Sequence, residues 1–330
     1  MSRIPAGVER FSQLLQEVFP DMRILSFDDL SEKPIPWIGE IYKSYQVAKA
    51  LQKKLGTLQP GVVFFNGMYG WALPKKTPYL KIGLCHGTFA SFARHAMPWR
   101  ADRIRTQFGY AHFEKKSFEN ADVIISNSSF TRRILQEDYH LDSLVIPPGI
   151  DFDIFHEQNK ENAKQRLGFP LQKKIILFVG RPDYYKGFDW VEKIAQMRPD
   201  WQVVSVTFPK ASSRCVDCRA PVPNTRLVDY YSAADAVFFP SRFESFGLVT
   251  LEALSCQRPV VTSPFGLAQE LLHPLLFTVD EPTVPNYIAA LEHAIQISTP
   301  TFPDLRSRYG LEAFVNTYRQ TIQSLLSKKA

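Results

Sequence analysis

Short apolar runs alternate with amphipathic stretches along the whole chain. Through residue 150, the runs Arg23–Phe27, Val62–Asn66, Lys81–His86, Asp122–Ser126 and Leu144–Pro148 read as strands. Val8–Phe19 and Ser129–Tyr139 carry the three-and-four apolar spacing of helices. The pattern begins again with Lys174–Gly180, then Trp201–Val206, Asp235–Phe239 and Pro259–Ser263, each leading into a helical or turn segment. Strands that are apolar throughout, separated by helices, predict parallel sheets covered on both faces. Two such series predict an α/β protein of two doubly wound, Rossmann-like domains, residues 1–150 and 151–330, with ligands in the cleft beyond the carboxyl ends of the strands. Pro147-Pro148-Gly149 and the polar segment up to Lys174 mark the join. The last helix, about residues 311–326, is amphipathic and is expected to cross back to the first domain.

Composition narrows the class. The 330 residues are 45% hydrophobic and 22% charged, enough for two proper cores. No apolar run approaches the roughly 18–20 residues that span a bilayer. The first residues, Met1–Arg10, lack the apolar centre of a signal peptide. Cys85, Cys215, Cys218 and Cys256 do not form a secreted disulfide framework in a chain of this length. A cytoplasmic enzyme is the expected class. The net charge of +6 is uneven, with nineteen basic against fourteen acidic side chains in residues 1–150. Part of the excess lies in Phe92–Tyr110, where Arg94, Arg100, Arg103 and Arg105 interleave with Phe92, Trp99 and Phe108. That segment fits an anionic membrane surface or an acidic acceptor, or else a solvated helix face. No nucleic-acid-binding module accompanies it, so nucleic acid is not an expected partner.

The chemistry concentrates in Pro240–Leu254. Glu244 and Glu252 flank Phe246-Gly247 where the strand Ala236–Phe239 hands over to a helix with the sequence LVTLEALS. Gly247 is thus placed at a helix N-terminus, where free N–H groups and the dipole favour a phosphate. Two hydroxyl acceptors around one anion site suit a diphosphate with a sugar on each side, which is a nucleotide sugar. In the segment Phe178–Trp190 a strand ends at Gly180, and Arg181 and Lys186 leave the following loop. A guanidinium fork and an ammonium point charge are a suitable pair for a diphosphate leaving group.

The segments GRPDYYKG, PSRFESFGLVTLEAL and PPGIDFDIF, in their spacing, resemble the retaining nucleotide-sugar glycosyltransferases of family 4, which have the GT-B fold. ADVIISNSSFTRRIL and LEAFVNTYRQTIQSLL are similar to the same family. The resemblance implies that Arg181 and Lys186 bind the donor diphosphate and stabilise it as it leaves. It implies help from the N–H groups of Phe246, Gly247 and Leu248, with Glu244 on the donor sugar and Glu252 on the ribose. It further implies that His86 reaches the donor sugar from the first domain, and that Gly7 and Val8 end a glycine-rich loop near the donor phosphate. No protein nucleophile and no metal or other cofactor are implied for the transfer step. Asp151-Phe152-Asp153 has the spacing of a metal-binding pair but lies inside the PPGID segment, and Cys215/Cys218 lack a second ligand pair for zinc, so no metal site is expected.

The chain departs from the family in places. Only Met1–Ala6 precede Gly7, so the central first strand is expected to be short or missing. Thr207–Lys210 replaces a glycine-rich turn, and Gln257 stands where glycine normally ends the helix. The expectation is a transferase acting on a glycan or lipid-linked acceptor of a cell-envelope or surface polysaccharide, at the inner face of the membrane. The alternative is a degenerate GT-B protein that binds a nucleotide sugar or a partner without turnover. A GT-B epimerase fits poorly, because such enzymes do not carry paired glutamates in this segment.

Overall fold

The computed structural model describes residues 7–25, 39–56, 61–297 and 304–329. It divides into two compact units, Val8–Pro147 with Phe314–Ala330, and Pro148–Ala313 with Gly7.

The first unit holds a parallel sheet in the order β1 (Val62–Asn66), β2 (Leu80–Cys85), β3 (Val123–Ser126) and β4 (Leu144–Val145). Its helices are α1 (Gly7–Val18), α2 (Gly39–Leu55), α3 (Phe89–Ala96), α4 (Arg100–Arg105), α5 (Ala111–Glu119) and α6 (Ser129–Tyr139). β2 is buried at every position, as a strand flanked on both edges and both faces requires. Alternation sorts the side chains. Ile82 and Leu84 meet Phe11, Leu15 and Val18 of α1 and Phe314, Tyr318 and Ile322 of the terminal helix Leu311–Lys329. Val63, Phe65 and Cys85 face Ala48, Ala111, Phe118 and Leu135.

Two expected strands differ. Residues 23–25 of the expected strand Arg23–Phe27 are irregular, and residues 26–27 lie outside the described region. Ile24 stays 48% exposed, and among the described residues no strand pairs with this segment. An apolar run without a ladder partner does not become a strand. β4 stops at Val145 because Pro147 and Pro148 have no N–H to donate. The segment Met1–Ala6, where the first strand is expected to be short or missing, lies outside the described residues; Gly7 is the first residue of α1.

The second unit holds six parallel strands, β5 (Lys174–Gly180), β6 (Trp201–Thr207), β7 (Asp217–Arg219), β8 (Ala236–Phe239), β9 (Val260–Thr262) and β10 (Leu276–Thr278). The order is β10-β9-β8-β5-β6-β7. Helices α7 (Lys160–Leu167), α8 (Phe188–Met197), α9 (Asn224–Ala233), α10 (Leu248–Ser255), α11 (Val284–Gln296) and α12 (Arg306–Tyr309) accompany them. Ile175 and Leu177 point into one core with Tyr231, Leu251 and Leu254, and Ile176 and Phe178 into another with Val191, Ile194 and Tyr287. From β5 the chain first builds outward through β6 and β7, then returns to place β8 on the other side of β5. The direction of winding therefore reverses between β5 and β8, where doubly wound sheets open a crevice at their carboxyl ends.

Candidate active site

Both chemically distinctive loops leave the sheet at that reversal. β5 ends at Gly180, whose φ of 152° suits glycine, and Arg181 follows it. The loop closes at Gly187, the N-cap of α8, with φ 77°. A Cβ there would lie 2.2 Å from the carbonyl oxygen of Pro240, so only glycine lets the β5 and β8 loops touch. Arg242 fastens the same two loops. Its N–H donates to the Tyr185 carbonyl at 2.7 Å, and its guanidinium grips Asp189 of α8 at 2.7 and 2.8 Å.

Within this frame Asp183 organises the cations. One carboxylate oxygen accepts the Lys186 N–H at 3.0 Å and the other lies 3.3 Å from Arg181 Nε. Burial raises the Asp183 pKa above its ordinary value, opposed by those two neighbours. The Tyr185 ring lies beneath the Arg181 guanidinium, 4.7 Å from its centroid. Lys186 Nζ meets Glu244 Oε2 at 2.5 Å, with both side chains about one-fifth exposed. The cation expected on the diphosphate and the carboxylate expected on the sugar are thus hydrogen-bonded to each other.

Gly247, at φ 93°, caps α10, and its carbonyl accepts from Thr250 and Leu251. Among the described residues, no acceptor engages the N–H groups of Phe246, Gly247 and Leu248. They stand at the positive end of a helix. Behind them, the Phe246 carbonyl accepts from Leu267 at 2.7 Å, and a Cβ on Gly266 would press within 2.6 Å of that carbonyl. Glu252 lies one turn into α10 and is only 1% exposed. Its Oε2 accepts from the Tyr231 hydroxyl of α9 at 2.7 Å. Gly180, Arg181, Lys186, Glu244, Phe246, Gly247 and Leu248 thus gather at the carboxyl ends of β5 and β8, with Glu252 buried beneath them. Sequence reasoning missed Asp183, whose partners Arg181 and Lys186 are close in sequence, and Tyr231, Arg242 and Gly266, whose roles depend on partners far along the chain.

His86 and Gly7 belong to the sequence expected in the other half. His86 follows β2, and its Nε2 lies 3.1 Å from Asn66 Oδ1 at the end of β1. The Phe11 ring meets its edge, centroids 4.5 Å apart. Desolvation pushes its pKa down to about 4, so the imidazole is neutral near pH 7 and acts there as a hydrogen-bonding group. The turn after His86 is held by Thr88, which caps α3 through the Ser91 N–H, and by Glu114 of α5. Glu114 accepts from the Phe89 N–H at 2.8 Å and the Tyr139 hydroxyl at 2.6 Å. Burial pushes its pKa up to about 8.

The carboxylates at Asp151 and Asp153 are otherwise engaged. Asp151 accepts from the N–H of Asp153 at 2.8 Å, and Asp153 pairs with Arg306 at 2.8 Å. Cys215 and Cys218 are free thiols packed against a core. Among the described residues, no three His, Cys, Asp or Glu side chains are grouped to hold a metal, and no helix is long and apolar enough to cross a membrane.

Two family models cover most of the chain. One described as "Glycosyltransferase Family 4" matches residues 15–154, and one described as "Glycosyl transferases group 1" matches residues 173–296. The chain is 35% identical to a D-inositol 3-phosphate glycosyltransferase of Corynebacterium jeikeium, over 46% of this chain and 43% of that protein. A namesake from Xylanimonas cellulosilytica is 36% identical over 37% of this chain and 35% of its own length. The chain therefore spans less than half of these curated relatives. In fold it is similar to sucrose-phosphate synthase from Thermosynechococcus elongatus, with a TM-score of 0.74 at 19% identity over 97% of this chain and 93% of that one. It is also similar to HepE of Anabaena, crystallised with UDP and glucose, with a TM-score of 0.71 at 16% identity over 98% of each chain. The architecture is GT-B.

Proposed function

The chain belongs to the family-4 glycosyltransferases, and from that premise we propose that it moves a sugar from a nucleoside-diphosphate sugar to a glycan or lipid-linked acceptor, with retention of anomeric configuration. The observation that carries the reading is the convergence of Arg181, Lys186 and the α10 N-terminus at the reversal between β5 and β8. Two cations and a row of unengaged N–H groups at the carboxyl end of one sheet are built to receive a diphosphate and to stabilise charge growing on it.

In this reading the donor enters between Lys186 and Glu244. Their hydrogen bond keeps the ammonium in place, and donor binding exchanges it for two others: Lys186 to phosphate oxygen, Glu244 to sugar hydroxyls. Arg181, braced by Asp183 and Tyr185, supplies the second charge. Glu252 receives the ribose hydroxyls with its orientation fixed by Tyr231. The leaving phosphate takes the acceptor's proton, so the protein contributes positioning and electrostatics, with no covalent intermediate. Charge on the leaving group falls to side chains and helix end, and we assign the transfer step no metal or cofactor.

The acceptor is placed in cell-envelope or surface polysaccharide synthesis, with the protein cytoplasmic and peripheral at the inner face of the membrane. Screening nucleotide sugars for slow donor hydrolysis tests the reading without an acceptor, and UDP-glucose is the first to try because HepE was crystallised with UDP and glucose. Release of nucleoside diphosphate supports it. Tight binding of a donor with no release across the panel would favour the binder without turnover.

A further inference from the structure

Between Phe89 and Phe113 the chain carries four arginines and a single carboxylate, Asp102. In this stretch three large apolar side chains face solvent: Trp99 is 70% exposed, Ile104 48% and Phe108 76%. Trp99 caps α4, Ile104 lies on α4, and Phe108 lies on the π-helical turn Thr106–Tyr110 that joins α4 to α5. No residue of α4 is buried. The arginines stand among these side chains. Arg100 and Ile104 are four apart, as are Trp99 and Arg103, and Arg105 and Phe108 are three apart, so cations interleave with the apolar side chains along the segment. Asp102 is already paired with Arg105 at 3.0 Å, and among the described residues the Arg103 guanidinium reaches only the Met97 carbonyl, at 2.8 Å. Leaving three such side chains in water forfeits their burial, and a patch of this kind marks an interaction surface.

We propose that Trp99, Ile104 and Phe108 insert into the interface of an anionic lipid bilayer, with Arg100, Arg103 and Arg105 on its headgroups. Charge selects the occupant. A second copy seated by a two-fold contact would set arginines against arginines. A negative lipid surface complements all of them at once. Protruding side chains separated by cations match the interfacial layer, where an indole sits at headgroup depth and arginine stems lie along the acyl boundary. The inference rests on the membrane-side part of the reading above and names the surface that would do the docking. Vesicle binding needs no turnover, so its failure would leave the transfer reaction standing.

The test is co-sedimentation of the full chain with phosphatidylcholine vesicles, with and without phosphatidylglycerol, over a range of salt. The expected result is partition onto the anionic vesicles alone, weakening as salt rises. Each arginine near such a surface is worth about fivefold, so Arg100→Gln/Arg103→Gln/Arg105→Gln should lower partition by about 10²-fold. Trp99→Ala/Phe108→Ala should lower it at least tenfold at fixed salt, because apolar insertion is lost while charge is kept. All these side chains are exposed, and circular dichroism should show the variants folded. Absence of binding would overturn the proposal. So would binding that Trp99→Ala/Phe108→Ala leaves unchanged, or a concentration-dependent dimer in sedimentation that the same pair of substitutions dissociates.

Discussion

Lys186 and Glu244 stand 58 residues apart in sequence, yet their side chains meet at 2.5 Å. The contact exists because β5 and β8 are neighbours and Gly187 lets their loops close on each other. If this pair is the door to the donor, the two carboxylates of the site must respond differently to neutralisation. Glu244→Gln is expected to weaken binding of the intact nucleotide sugar while leaving nucleoside diphosphate nearly unaffected. Glu252→Gln is expected to weaken both, by roughly 1–3 kcal/mol for a charge-assisted pair of bonds to ribose. Calorimetry with the two ligands separates them, and equal responses would mean the roles are misassigned.

Tyr231 offers a test of the support beneath Glu252. Its hydroxyl donates to a carboxylate that is only 1% exposed. Tyr231→Phe removes that donor from a buried charge and is expected to cost about 1–3 kcal/mol of stability, read from urea denaturation, together with weaker nucleotide binding. A loss in stability without change in nucleotide binding would show that Tyr231 serves the core alone.

Glu114 gives a dependence on pH whose sign is fixed. Its pKa rises from 4.5 to about 8 on burial, so the native state holds a proton that the unfolded state has released between those values. Stability must therefore fall as pH rises through that window, by an amount on the order of a few kcal/mol. His86 works in the opposite sense over a lower range: its pKa drops from 6.5 to about 4, so it adds stability as pH climbs through that interval. Comparing wild type with Glu114→Gln isolates the first effect, since the amide can still accept from Phe89 and Tyr139. Denaturation midpoints should decline between pH 6.5 and 8 in the wild type, where His86 no longer offsets the effect, and stay level there in the variant. Parallel curves would contradict the assignment.

Gln257 ends α10 with φ 58°, a left-handed conformation in which a side chain is strained, and its amide oxygen is buried without a hydrogen-bond partner among the described residues. Gln257→Gly is expected to stabilise the protein by about 1 kcal/mol, because glycine adopts that conformation freely. A lower urea midpoint would show that packing of the glutamine stem outweighs the strain.

How much of this could be read from sequence follows from what fixes each feature. Gly247 at a helix N-terminus, Arg181 after Gly180 and the strands β5 and β8 were legible, because apolar runs and glycine punctuation are local signals. β7 and β10 were not. Each has three residues, and Asp217–Arg219 is polar, so they exist as strands only through their neighbours β6 and β9. Residues 23–25 failed for the converse reason: the composition suits a strand, but no partner among the described residues accepts it. Asp183 could have been found beside Arg181 as a short-range partner. Tyr231 under Glu252, Arg242 on Asp189 and Glu114 behind the His86 turn are contacts across 21, 53 and 25 residues, and only the fold makes them.

The central claim is that Arg181 and Lys186, beside the Gly247 helix end, stabilise a departing diphosphate. Its most direct measurement is the rate of nucleoside diphosphate release from the donor by wild type, Arg181→Ala and Lys186→Ala, with folding of each checked by circular dichroism. Removing one donor to developing negative charge typically costs 10²–10³ in rate. Each variant is expected to be slower by about 10²-fold or more with its secondary structure intact. Rates within a few-fold of wild type for both variants would contradict the account.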